Sequence, residues 1–151
     1  MKINKILSAF IFLMTCHVSA ADALSPVGLW KTIDDETKKE KSIVEIYEVE
    51  GKLHGKIIKI FKAPEEDQNP KCDKCKGDMK DQPVIGLEIL KKLKKSSDTT
   101  WNDGDITDPN NGKTYSCKIE MFEGGNKLKV RGFIGFSLLG RTQVWEKQPA
   151  K

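Results

Sequence analysis

The sequence predicts an all-β protein: one small antiparallel domain of about eight strands that closes as an up-and-down β-barrel. Three observations predict it. Apolar residues after position 20 recur with a period of two more often than with a helical period. The apolar runs are short and separated by polar turns, many of them carrying Gly or Asn. A single long irregular connection interrupts the rhythm. Strands of this kind suit a barrel or a sandwich, and closure removes the exposed edges that an open sheet must defend.

The chain begins with a segment of a different kind. Lys2 and Lys5 form a positive n-region, Ile6 to Met14 an apolar stretch, and Val18-Ser19-Ala20 a small-residue cleavage site. Residues 1–20 therefore read as a secretory signal peptide, cleaved near Ala20, that sends residues 21–151 to the periplasm or outside the cell. The apolar run is shorter than the roughly 20 residues a membrane-spanning helix needs, and no other segment is apolar enough to span. Lipid attachment at Cys16 is the alternative, with Thr15 a poor residue to precede it.

The strands follow in order. Val27 to Ile33 is the first, ended by Asp34-Asp35-Glu36-Thr37-Lys38-Lys39. Ser42 to Val49 and Leu53 to Phe61 form a hairpin around Glu50-Gly51-Lys52. The connection at 62–83 is rich in Pro, Asp and Lys and belongs on the surface. Residues 85–95 are ambiguous: Leu87, Leu90 and Leu93 suit a helix, whereas Leu87, Ile89 and Leu93 suit a strand, which we favour. Trp101 to Thr107 precedes the turn Asp108-Pro109-Asn110-Asn111-Gly112. The clearest hairpin places Tyr115, Cys117, Ile119 and Met121 on one face, turns at Glu123-Gly124-Gly125-Asn126, and returns with Leu128, Val130, Gly132 and Ile134. Arg141 to Glu146 is the last strand.

Chemistry-bearing residues are few. Loss of the leader removes Cys16 and His17, leaving three cysteines and His54. In an oxidising compartment Cys72 and Cys75, a C-x-x-C, are expected to close as a local disulfide, with Cys117 a buried free thiol. Redox catalysis by the C-x-x-C needs a strand before it and a helix after it to lower a thiol pKa, and neither is visible. One histidine cannot build a multi-histidine metal centre, and three cysteines fall short of a structural zinc site, so no metal or cofactor is expected. A hydrolytic triad would have to run through His54. The acids cluster in turns as solvated residues, and no phosphate-cradling glycine loop is present. Losing Lys2 and Lys5 lowers the formal net charge of +4 by two, too small an excess for nucleic-acid binding. Lys91, Lys92, Lys94 and Lys95 read as a solvated face.

In an up-and-down barrel the first and last strands are neighbours. That topology suggests that the Arg141 guanidinium covers the Trp30 indole and plugs one end through a cation–π contact. A G-x-W on the first strand with an arginine near the last resembles the lipocalin and wider calycin signature. A longer pattern is similar to a family of small secreted bacterial proteins known only as a domain of unknown function. It comprises Gly28-x-Trp30-x-Thr32-x-Asp34-Asp35, Cys72-x-x-Cys75-Lys76-Gly77-Asp78 and Asp108-Pro109-x-x-Gly112-Lys113-x-Tyr115. Its last block runs Leu128-x-Val130-Arg131-Gly132-x-x-Gly135-x-Ser137-Leu138-x-Gly140-Arg141-Thr142-Gln143-x-Trp145. The resemblance implies a lipocalin-like barrel, an exported location and binding of a small apolar or amphipathic ligand. It carries no catalytic residues. The expected lining is Tyr115, Ile119, Met121, Leu128, Val130 and Ile134. The alternatives are an envelope interaction module with a packed core and a thiol-redox enzyme using Cys72 and Cys75.

Overall fold

The computed structural model describes residues 24–136 and 139–149. The expected signal peptide, its cleavage point at Ala20 and the alternative lipid site at Cys16 lie outside the described residues, as do Ser137 and Leu138. Strands form where the alternation is read: β1 (Gly28–Ile33), β2 (Glu40–Val49), β3 (Lys52–Ile60), β4 (Glu88–Lys95), β5 (Thr100–Asp108), β6 (Lys113–Phe122), β7 (Lys127–Phe133) and β8 (Gly140–Gln148). They close in sequence order into an antiparallel barrel, with β8 returning to β1. The closing seam is short, running from Leu29 opposite Gln148 to Lys31 opposite Glu146.

The segment that read equally as helix or strand is strand β4, and its bulges explain the ambiguity. Pairing of β3 with β4 shifts register on either side of Gly55. Lys92 adopts φ 60° on β4, and Asp103 φ 55° on the facing strand β5. Each bulge adds a residue to one strand, so inward side chains fall out of strict alternation. Leu87, Leu90 and Leu93 are therefore all buried at three-residue spacing without a helix. Gly104 sits opposite this irregularity, where a Cβ would lie 2.5 Å from the Lys91 carbonyl oxygen. The turn after β6 is a short 3₁₀ segment (Glu123–Gly125).

Up-and-down topology sends alternate connections to opposite ends. One end receives the turns at 50–51, 96–99 and 123–126, and it is closed. Trp30, Leu53, Leu93, Trp101, Met121 and Leu128 fill it, all buried. Each such side chain contributes about 1.5–3 kcal/mol on leaving water. The segment before β1 crosses the same end, and its buried Pro26 offers a carbonyl to Trp30 Nε1 at 2.7 Å. The other end gathers 34–39, the long connection from 61 to 87, 109–112 and 134–139. Cys72 and Cys75 are joined in a disulfide within the long connection, their Cα atoms 5.3 Å apart.

Candidate functional site

The end with the long loops holds a cavity of about 360 Å³. Its floor is apolar. Ile57 from β3, Ile89 from β4, Ile106 from β5, Val130 from β7 and Trp145 from β8 all face it. Ile57, Ile89 and Ile106 lie toward the loop-bearing ends of their strands, whereas Trp145, opposite Leu128, sits at the level of the packed core and forms the bottom of the floor. Its walls become polar toward solvent. Thr32 and Ser42 share a buried hydroxyl pair at 2.7 Å, and Thr107 meets Thr114 at 2.8 Å. Ile134, Leu139 and Arg141 border the mouth and are exposed to solvent.

A chain of polar contacts runs from the mouth to the floor. Arg141 donates to and ion-pairs with Asp35, which the loop after β1 brings across the opening. Gln143 Nε2 donates to the same Asp35 oxygen at 3.3 Å, and Gln143 Oε1 accepts from the Trp145 indole at 3.3 Å. Buried indole N–H groups require a partner. Gln143 thus satisfies Trp145 and leaves the indole face to the apolar floor. On the far side, Asn111 Nδ2 donates to the Tyr115 hydroxyl at 3.0 Å. A charged groove of about 920 Å³ runs beneath the long connection and shares Lys41, Ser42, Ile57, Pro109 and Asn110 with the cavity.

The cystine shapes this rim. Cys72 and Cys75 are buried, and Cys72 Sγ lies 3.5 Å from the Pro109 carbonyl oxygen. Gly112, at φ +69°, approaches the same loop so closely that a Cβ would stand 1.9 Å from the Lys74 carbonyl oxygen. The disulfide therefore fixes a loop that buttresses the 108–112 turn at the cavity mouth. Sulfurs this inaccessible cannot exchange with a substrate thiol, so the geometry gives a redox role no support.

The expected lining divides. Tyr115, Val130 and Ile134 border the cavity. Ile119, Met121 and Leu128 pack in the core and do not line the cavity, although Ile119 lies directly opposite Val130. Alternation identifies the inward face of a hairpin but not which of the inward side chains meet the cavity. Arg141 does not cover Trp30. Trp30 lies opposite Lys147, whose ammonium sits 5.8 Å from its ring, and Arg141 is six residues further along β8, about 20 Å away. The reason is register: Arg141 opens β8 at the loop-bearing end, whereas Trp30 lies at the closed end.

Cys117 is buried on β6 and forms no disulfide. Burial, reinforced by the Asp105 carboxylate, pushes its thiol up to about 12, which suits a core residue rather than a nucleophile. His54 lies on the outer face of β3. Its Nδ1 meets the Glu88 carboxylate, and its ring stacks on Tyr47 with centroids 6.0 Å apart. Burial first, and then Glu88, raises the Tyr47 hydroxyl above its ordinary range. Neither Tyr47 nor Glu88 is the serine or cysteine that a hydrolytic triad through His54 requires. Among the described residues, no group of three or more His, Cys, Asp or Glu is placed to hold a metal ion.

Residues 28–147 match the family described as an uncharacterized protein conserved in bacteria, DUF2147. The chain belongs to that family. Its barrel is also similar to the solved structure of protein HP1028 from the human pathogen Helicobacter pylori, which is described as belonging to the lipocalin family. The TM-score is 0.72 at 20% sequence identity, over 83% of this chain and 84% of that one. At that identity the likeness establishes the fold, a lipocalin-like barrel. No curated protein sequence matches. Sequence reasoning missed Asp35 and Gln143 as site residues because they meet across 108 positions of chain. Both nevertheless stand in the motif blocks that carry the family resemblance.

Proposed function

We propose that the protein is an exported carrier that holds a small apolar or amphipathic molecule at the loop-bearing end of its barrel. The observation that carries this reading is the cavity of about 360 Å³ with an apolar floor and polar rim. Its size falls at the lower end of the roughly 300–1,000 Å³ typical of small-molecule sites. An apolar tail would rest on Ile57, Val130 and Trp145, and a polar head would meet Ser42, Tyr115 or Gln143. Export accords with the buried cystine, since disulfides persist in oxidising compartments.

The test is native mass spectrometry of protein purified from a bacterial envelope, alongside titration with an environment-sensitive apolar dye. A co-purified small molecule and saturable dye binding that Val130→Phe abolishes are the expected results. A protein that carries nothing, and whose dye response is unchanged by Val130→Phe, would favour a packed interaction module instead.

A further inference from the structure

The cavity has two ways out. Across the front of the mouth, Arg141 pairs with Asp35, and Gln143 joins the same carboxylate. To one side the cavity adjoins the groove beneath the long connection. Lys41, Ser42 and Ile57 form one edge of this side portal and Pro109 with Asn110 the other, and all five line both spaces. The second edge is held in place, because Cys72 Sγ lies 3.5 Å from the Pro109 carbonyl oxygen and Gly112 abuts the Lys74 backbone.

Beyond the portal the groove passes Ile60, Phe61 and Val84, and its charges do not cancel. Among the described residues four carboxylates line it, and three of them are committed. Asp34 accepts from the Thr37 N–H and hydroxyl at 2.8 and 3.0 Å. Glu40 is paired by Lys31, from outside the groove, at 2.9 Å. Glu66 takes Lys62 at 3.3 Å and the Ala63 N–H at 2.8 Å. Asp73 is the fourth. Against it stand Lys39, Lys59 and Lys71, which form no ion pair among the described residues, and Lys41, paired only with Asp34 at 3.9 Å. Lys59 rests over the Phe61 ring at 4.7 Å. Asp108, on the cavity side of the portal, already accepts from Asn110 and Asn111, and Glu65 and Asp67 of the long connection do not line the groove.

We infer that the cavity takes a single-chain amphipath with an anionic oxygen-rich head, and that the head leaves through this side portal to meet the groove lysines. The inference rests on the carrier reading and adds to it the route and the sign of the charge. A cavity at the lower end of the small-molecule range has room for one alkyl chain. A wholly apolar ligand leaves the lysines unpartnered, and a cationic head meets like charge. Ammonium donors suit an oxyanion, since a charge-assisted hydrogen bond is roughly twice as strong as a neutral one. The front of the mouth offers a head only Arg141, which Asp35 already engages.

The experiment displaces a neutral apolar dye from protein purified from a bacterial envelope, using dodecyl phosphate, dodecanol, dodecyltrimethylammonium and inorganic phosphate. Dodecyl phosphate is expected to bind at least about tenfold more tightly than dodecanol, the worth of one hydrogen bond to a charged group. That gap should narrow as salt rises. Lys39→Gln, Lys41→Gln and Lys71→Gln together should bring dodecyl phosphate down to the affinity of dodecanol while dodecanol and the dye bind as before. Arg141→Gln should leave the gap in place. Equal binding of phosphate and alcohol, a preference for the ammonium, or a gap that Arg141→Gln removes and the triple-glutamine variant keeps would overturn the inference and leave the carrier reading standing. Inorganic phosphate binding as tightly as dodecyl phosphate would also overturn it, making the groove a site for free anions. If the dye does not bind, or no alkyl probe displaces it, the carrier reading fails and the inference falls with it.

Discussion

Replacing Gly112 by alanine tests the contact between the cystine loop and the cavity rim. Gly112 closes the β5–β6 turn at φ +69° and donates its N–H to the Asp108 carbonyl at 2.8 Å. An alanine Cβ would stand 1.9 Å from the Lys74 carbonyl oxygen and 2.7 Å from Cys75 N. Both are backbone atoms, so no side chain can swing aside, and the loop must retreat by roughly 1.5–2 Å to reach ordinary contact. The left-handed conformation costs alanine about 1–2 kcal/mol. Forcing apart a packed contact adds roughly 1–3 kcal/mol. The sum, about 2–5 kcal/mol, is a large share of a typical stability of about 5–15 kcal/mol. It should lower Tm by roughly 6–20 °C for a domain of this size. Gly51→Ala is the control, because Gly51 has φ +73° and nothing within 4 Å of its would-be Cβ. That variant should lose the conformational part alone. Thermal unfolding followed by circular dichroism compares the two, and equal melting temperatures would refute the loop-to-turn contact.

Cys117 should resist a thiol-specific chromogenic reagent in the native protein lacking residues 1–20, and react once denaturant is added. With its thiol raised to about 12 from 9.0, the unfolded chain ionises first, so this residue's contribution makes stability fall as pH rises from about 9 toward 12. Cys117→Ala should flatten that part of a denaturant-midpoint profile, and an unchanged slope would assign it elsewhere. Replacing Cys72 and Cys75 together by serine should cost about 2 kcal/mol from loop closure alone. Amide exchange should quicken across the long connection while the barrel's far-ultraviolet spectrum stays intact; loss of the barrel signal would make the cystine a core element instead. Asp35→Ala breaks an exposed ion pair and should change stability by less than about 1 kcal/mol, while apolar dye exchanges faster through the loosened mouth. Unaltered exchange kinetics would show that the Asp35 bridge does not gate the opening.

The strands were legible in the sequence because a half-buried strand must alternate, and Tyr115 to Ile134 does so around two glycines that accept positive φ. The turn at Asp108 to Gly112 followed from the same local chemistry. Residues 85–95 were less legible, since the Lys92 bulge gives three inward leucines a helical spacing. The candidate site was legible only in part. Tyr115, Val130 and Ile134 border the cavity, but Ile119, Met121 and Leu128 share that face and pack in the core away from it.

By itself, then, the sequence determined which way the side chains of the regularly alternating strands point, because pleating is a local property of the backbone. Only the tertiary structure decided depth and partnership. How far down the barrel packing ends depends on all eight strands and on two tryptophans at different heights. Which cation covers Trp30 depends on the register of a seam joining residues more than a hundred positions apart, and that register chose Lys147 and sent Arg141 to Asp35 at the open end.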